Sequence, residues 1–170
     1  MAISARLRGL LSKNRIRYTS HRHPTAYTAQ EIAAAQHVSG KQLAKCVLVS
    51  TDKGFFLAVL PAVVLIDFAK LKTLVRAKKL SLANESDIKR LFPDVEVGAM
   101  SVFGNLYNVP TVVDKALTSA EQIVCNAGSH TKTITLRYRD FEKLAKPRVG
   151  GFGLPIGKAA KGKKAKSKKA

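Results

Sequence analysis

Tryptophan is absent, cysteine occurs twice, and 11 acidic residues stand against 30 lysines and arginines. Cys46 and Cys125 lack CxxC spacing, which argues against a structural zinc site. Each lies in an apolar run, where a lone cysteine is usually a small core residue. Their spacing neither demands nor forbids a disulfide. No apolar run nears the roughly 20 residues that a membrane-spanning helix requires; the longest, Phe55 to Ile66, is broken by Pro61. The N-terminus carries Arg6, Arg8, Lys13, Arg15 and Arg17 but no continuous apolar core of a signal peptide. The cytoplasm is therefore the expected location, with no membrane partner. GxSxG, P-loop and GxGxxG strings are missing, so the familiar hydrolase and nucleotide signatures do not apply. His21 and His23 have no Cys, Asp or Glu at ligand spacing, and neither a metal nor another cofactor is expected.

The shortage of carboxylates leaves a net charge of +19, with seven lysines inside residues 158–170 and +12 on the rest. A surface this basic attracts polyanions, nucleic acid before anionic membrane. From Gly150 onward glycine, alanine and lysine replace any periodic pattern. Residues 150–170 therefore read as a disordered Lys-rich tail behind one folded domain, residues 1–149.

Ile3, Leu7, Leu10 and Leu11 recur at helical spacing, predicting an amphipathic helix that ends near Asn14. Ile16 to Pro24 reads as extended. Thr28-Ala-Gln-Glu31 is a capping box opening a helix from Ala29 to about Gln36. Leu43 to Val49 and Phe55 to Leu60 read as strands joined at Asp52-Lys53-Gly54. Asp67 caps a helix predicted to bury Phe68, Leu71 and Leu74, followed by a second helix at about Ser86 to Phe92. Thr111 to Val113, Ile123 to Asn126 and Lys132 to Tyr138 read as strands. A one-turn helix is expected at Thr118 to Glu121 and a closing helix at Asp140 to Lys146. The irregular interleaving predicts a mixed α/β domain. Nothing in it resembles a helix-turn-helix or ribbon for DNA.

Lys45 stands at the start of an otherwise apolar strand. It is either an edge charge reaching solvent or an ammonium turned into a cleft to meet an anion. Gly98-Ala-Met-Ser-Val-Phe-Gly104 is a loop with glycine at both ends, suited to close backbone approach to a ligand. Asn126-Ala-Gly-Ser-His130 leaves a strand and presents a histidine, able to orient a substrate, move a proton or lie exposed.

In order along the chain, Tyr18…His23-Pro…Tyr27-Thr28-Ala-Gln-Glu31…Ala33, Leu43-Ala-Lys45-Cys-Val-Leu-Val49, Leu60-Pro61-Ala62, the Gly98 loop, Val109-Pro110…Val113-Asp114 and Asn126-Ala-Gly128-Ser-His130 resemble the YbaK family. These are free-standing aminoacyl-tRNA deacylases related to the editing domain associated with prolyl-tRNA synthetase. The resemblance covers roughly residues 3–148. It implies a YbaK-like domain with a mixed, barrel-like β-sheet flanked by helices, binding the aminoacylated 3′ acceptor end of tRNA, and a transient contact with an aminoacyl-tRNA synthetase. It implies catalytic roles for Lys45, Gly98, Gly128 and His130. Lys45 would hold the terminal phosphate and the loop amides near Gly98 and Gly128 would steady the ester carbonyl. Tyr27, Thr28, Ala99, Met100, Ser101, Val102, Phe103, Asn126 and Ser129 are then expected to border the substrate. The small residues Ala99, Ala127 and Ser129 suggest room for a modest amino-acid side chain. Val102 stands where the family's loop carries proline. That departure sustains a second expectation, an inactive tRNA-binding protein that keeps the fold.

Overall fold

The computed structural model describes residues 3–155. Helix α1 (Ala5–Lys13) buries Leu7 and Leu11 and leads into strand β1 (Tyr18–Arg22). Helix α2 (Ala29–Gln36) follows, then the hairpin of β2 (Ala44–Thr51) and β3 (Gly54–Pro61). Gly54 takes φ +106°, a conformation that glycine adopts without a Cβ penalty, and this closes the turn. β4 (Val64–Ile66), α3 (Phe68–Leu74), β5 (Leu80–Leu82) and α4 (Glu85–Leu91) come next. β6 (Thr111–Asp114), β7 (Gln122–Asn126), β8 (Lys132–Arg137), α5 (Tyr138–Ala145), β9 (Arg148–Gly150) and β10 (Gly153–Pro155) complete the order.

The strands form a five-stranded mixed sheet, β5-β2-β3-β6-β9, an antiparallel sheet, β1-β8-β7, and the pair β10-β4. The two larger sheets face each other across the main core. Alternation along each strand puts Ala44, Leu48, Leu57, Val59 and Val113 of one sheet against Ile123, Cys125, Ile134 and Leu136 of the other. Leu7, Leu11, Phe103 and Phe141 close this core from α1, the 98–104 loop and α5. The opposite face of the five-stranded sheet carries Val49, Ala58, Leu60 and Val112 under Leu71 and Val75. The sheets stay open, not closed into a barrel. A parallel bridge between Leu43 and Val124 links them at a seam, which α2 covers with Ile32.

Several expectations change. Phe68 is 44% exposed, not buried: it is the first residue of a short helix whose inward side is taken by Leu71. The turn after β6 is a 3-10 segment at Lys115–Ser119, earlier than expected, because the Asp114 carboxylate accepts the Ala116 N–H. α5 starts at Tyr138, two residues before the expected start. The folded part also runs past residue 149. Phe152 is fully buried, and the Asp114 carboxylate accepts the N–H groups of Phe152 and Gly153 at 2.9 and 2.8 Å. Residues 150–155 are thus held by a buried side chain and two charge-assisted hydrogen bonds, so the expected disorder does not begin at 150. The rest of the expected tail, 156–170, lies outside the described residues.

Candidate active site

The seam between the sheets makes a natural recess. Two residues beyond the Leu43–Val124 bridge, along parallel β2 and β7, stand Lys45 and Asn126. Both line a cavity of about 150 Å³ together with Gly98, Cys46, Tyr27, Gln30 and Ile32. The recess therefore draws walls from four separate stretches of chain.

Lys45 is half-buried and has no carboxylate partner among the described residues. Burial holds its ammonium below the usual lysine range. Such a group gains by meeting an anion, because the partner restores what desolvation removed. Of the two readings open for Lys45, the cleft-lining one fits this placement.

Tyr27 and Thr28 are set by the start of α2. The Thr28 hydroxyl accepts the Glu31 N–H at 3.1 Å, and the Glu31 carboxylate accepts the Tyr27 N–H at 3.2 Å. The box therefore reaches one residue before the cap and holds the Tyr27 backbone, and the Tyr27 ring lies tilted against that of His130 with centroids 4.7 Å apart. Thr28 spends its hydroxyl on the helix and is not among the cavity's lining residues.

His130 does not project into the cavity as a proton carrier. Its Nε2–H donates to the Val97 carbonyl at 2.9 Å, and Nδ1 is buried without a partner. The ring lies under Gly98, where an added Cβ would meet it at 3.6 Å. Gly98 itself, at φ +86°, is exposed at the cavity and turns its backbone toward it. The Asn126 Oδ1 is buried and unpartnered beside the same space.

Gly128 stands apart from this group. Its N–H donates to the Ala99 carbonyl at 3.0 Å, and its missing side chain leaves space for Ser4 and Val95. Its amide is spent on the fold, so it is not free to serve an oxyanion. The residues after Gly98 likewise turn inward. Ala99, Met100, Ser101, Val102 and Phe103 are all buried, with Met100, Val102 and Phe103 in the main core. Ala127 and Ser129 are buried too, and the Ser129 hydroxyl pairs with that of Thr131. These side chains do not border the cavity and do not set its size. Val102 fills the main core, where burial pushes the Cys125 thiol up to about 12, and nothing in the described geometry explains valine in place of proline.

Residues that sequence reasoning passed over are Gln30, Ile32, Cys46 and Glu96. Cys46 lines the cavity while its thiol donates to the Ser101 carbonyl at 3.4 Å, and burial followed by the nearby Cys125 pushes that thiol up. Nothing in its apolar run marked it as a lining residue. His23, set aside as a metal ligand, is buried with Nδ1 at 2.7 Å from the Pro24 carbonyl. Among the described residues no group of three His, Cys, Asp or Glu side chains could hold a metal ion.

The model of the aminoacyl-tRNA editing domain matches residues 23–144. The prolyl-tRNA editing protein ProX of Acetoanaerobium sticklandii is 28% identical over 148 residues, spanning 84% of this chain and 90% of ProX. A crystal structure assigned provisionally as a trans-editing enzyme for prolyl tRNA synthetase superposes with a TM-score of 0.77 at 19% identity. It spans 89% of this chain and 96% of that one. A hypothetical protein superposes at 0.80 and 18% identity, over 88% and 99% of the two chains. The structural matches share the fold, and the stretch matched by the family model contains every wall of the cavity from Tyr27 to Asn126. By that match, this chain belongs to the aminoacyl-tRNA editing domain family.

Proposed function

We propose that this chain is a free-standing deacylase that removes a wrongly attached amino acid from tRNA at the cavity between β2, α2 and the Gly98 loop. Family membership gives the reaction class and its substrate, an aminoacylated tRNA. The observation that carries the placement is that Lys45, half-buried and unpaired among the described residues, lines one small cavity with Gly98 and Asn126.

An aminoacyl ester is already activated, so its hydrolysis needs positioning and stabilisation of developing oxyanion charge more than a protein nucleophile. The Lys45 ammonium meets the phosphate of the terminal nucleotide and anchors the ribose over the cavity. The Gly98 backbone lies beside the ester carbonyl. A water oxygen bonds to the carbonyl carbon, and the bond from that carbon to the ribose oxygen breaks. One proton of the water passes to the ribose oxygen by way of the neighbouring hydroxyl, the other goes to solvent, and the free amino acid leaves as its carboxylate. His130 and Tyr27 form the wall behind Gly98. A space of about 150 Å³ suits a small side chain. ProX is described as a prolyl-tRNA editing protein, and we extend that to this chain: its tRNA is the proline one, carrying a smaller amino acid. The cytoplasm as location and a transient meeting with an aminoacyl-tRNA synthetase belong to the same proposal; among the described residues no helix is long and apolar enough to cross a membrane.

Incubation with the proline tRNA mischarged with alanine, cysteine or serine tests the reading, with the correctly charged alanyl-, cysteinyl- and seryl-tRNAs beside it. Wild-type protein is expected to release amino acid from at least one, and Lys45→Ala to lose on the order of 100-fold in kcat/KM. Binding without release by the wild type would sink the deacylase reading, and full activity in Lys45→Ala would sink the mechanism.

A further inference from the structure

Glu96 is a carboxylate beside the cavity walls that the mechanism does not use. It sits between two turns distant in sequence, one carrying Gly98 and the other His130. Its backbone N–H donates to the Gly128 carbonyl at 2.9 Å, and its own carbonyl accepts the Ala99 N–H at 2.9 Å. Its carboxylate accepts the His130 backbone N–H at 2.8 Å and lies 3.9 Å from the ring Nε2. Two further bonds run between the same turns, Gly128 N–H to the Ala99 carbonyl and His130 Nε2 to the Val97 carbonyl. Only one bond in this set joins a replaceable side chain to a backbone donor, and that is the Glu96 carboxylate on the His130 amide.

We propose that Glu96 is a positioning residue of the editing site, whose carboxylate fastens the 127–130 turn to the 96–99 turn and thereby fixes Gly98 and the His130–Tyr27 wall against the cavity. The inference rests on the deacylase reading above. Without the carboxylate the His130 N–H, which is half-buried, loses its acceptor, and an orphaned donor there costs more than the bond's net contribution. The turn relaxes to find another partner or water. The ring under Gly98 moves with it, and Tyr27 loses its stacking surface. Gly98 is then displaced from the carbonyl while Lys45, on a separate strand, still holds the phosphate. A misplacement of about 1 Å at the reacting carbon is enough to cost on the order of 100-fold in rate.

The test uses the full chain with Glu96→Ala and Glu96→Gln. The Ala variant is expected to lose on the order of 10- to 100-fold in kcat with KM little changed, since the hold on the phosphate survives. The Gln variant keeps an acceptor oxygen at the same reach and is expected to return to within about threefold of wild type. Deacylation by Glu96→Ala at the wild-type rate per folded molecule, with only a lowered Tm, overturns the proposal. Failure of Glu96→Gln to restore activity overturns it as well, because the charge and not the acceptor would then matter. A wild type that releases no amino acid instead marks failure of the deacylase reading. In that case affinity for a non-hydrolysable 3′-aminoacylamido adenosine and amide exchange at His130 judge the clamp: weaker binding and faster exchange in Glu96→Ala uphold it, and unchanged values overturn it.

Discussion

At the scale of single residues, the fold keeps Lys45 in a place that costs it stability. Burial lowers the folded-state value below 10.5, so between the two values the unfolded chain binds more protons than the folded one. Stability therefore rises with pH through that window and is lowest where the ammonium is fully formed. Lys45→Met is expected to raise Tm at neutral pH and to abolish the rise toward pH 10.5, which thermal melts across the range will check. Val102 makes the opposite case. Its side chain is fully buried in the main core, so Val102→Pro, which loses apolar contacts and fixes φ, is expected to cost about 1–3 kcal/mol in denaturant unfolding. Lys45 and Gly98 were legible in the sequence because a lone charge in an apolar strand and a glycine-bounded loop both signal local departures. The following residues misled because a motif gives order along the chain and not which way side chains turn. Met100, Val102 and Phe103 are apolar in a loop, and that apolarity was the available signal of their place in the core.

At the scale of elements, short polar caps hold the pieces that matter. Thr28→Ala removes the acceptor for the Glu31 N–H and is expected to cost about 1 kcal/mol. It also loosens Tyr27, so deacylation should fall further than Tm alone accounts for; parallel melts and initial rates separate the two. Asp114 accepts three N–H groups, from Ala116, Phe152 and Gly153. Asp114→Ala is expected to lower stability by at least about 2 kcal/mol and to speed amide exchange at Phe152 and Gly153. The longer elements were readable from periodicity, and α2 from its capping box, with its end expected at about Gln36 and found there. The three-residue strands β4, β5, β9 and β10 were not, since a period of two needs more than one repeat to show. β9 and β10 were hidden further by Gly150, Gly151 and Gly153, leaving Phe152 as the lone apolar mark of a buried strand connection.

At the scale of the molecule, few of the cations among the described residues are paired. Among the described residues the lysine and arginine ion pairs are Arg6–Asp94, Lys89–Glu85 and Arg90–Asp87. The remaining charge is available to a phosphate backbone, and tRNA affinity should fall steeply with salt. Deleting residues 158–170 removes seven lysines and is expected to flatten the slope of log K against log salt by about 0.7–0.9 for every phosphate that those lysines neutralise. Filter binding at several salt concentrations measures this, and an unchanged slope would deny those lysines a share.

One side of the cavity is contiguous in the chain. Tyr27, Ala29, Gln30 and Ile32 belong to a single short stretch, while Lys45, Gly98 and Asn126 each come from a different segment of the chain. Of these, Gln30 is exposed and lies outside the buried clusters, so its substitution is expected to alter what the recess admits while Lys45 and Gly98, on separate segments, stay in place. Under the proposed deacylase reading selectivity is therefore expected to drift first at that exposed position, and a library randomised there, screened for release of amino acids of different size, checks it.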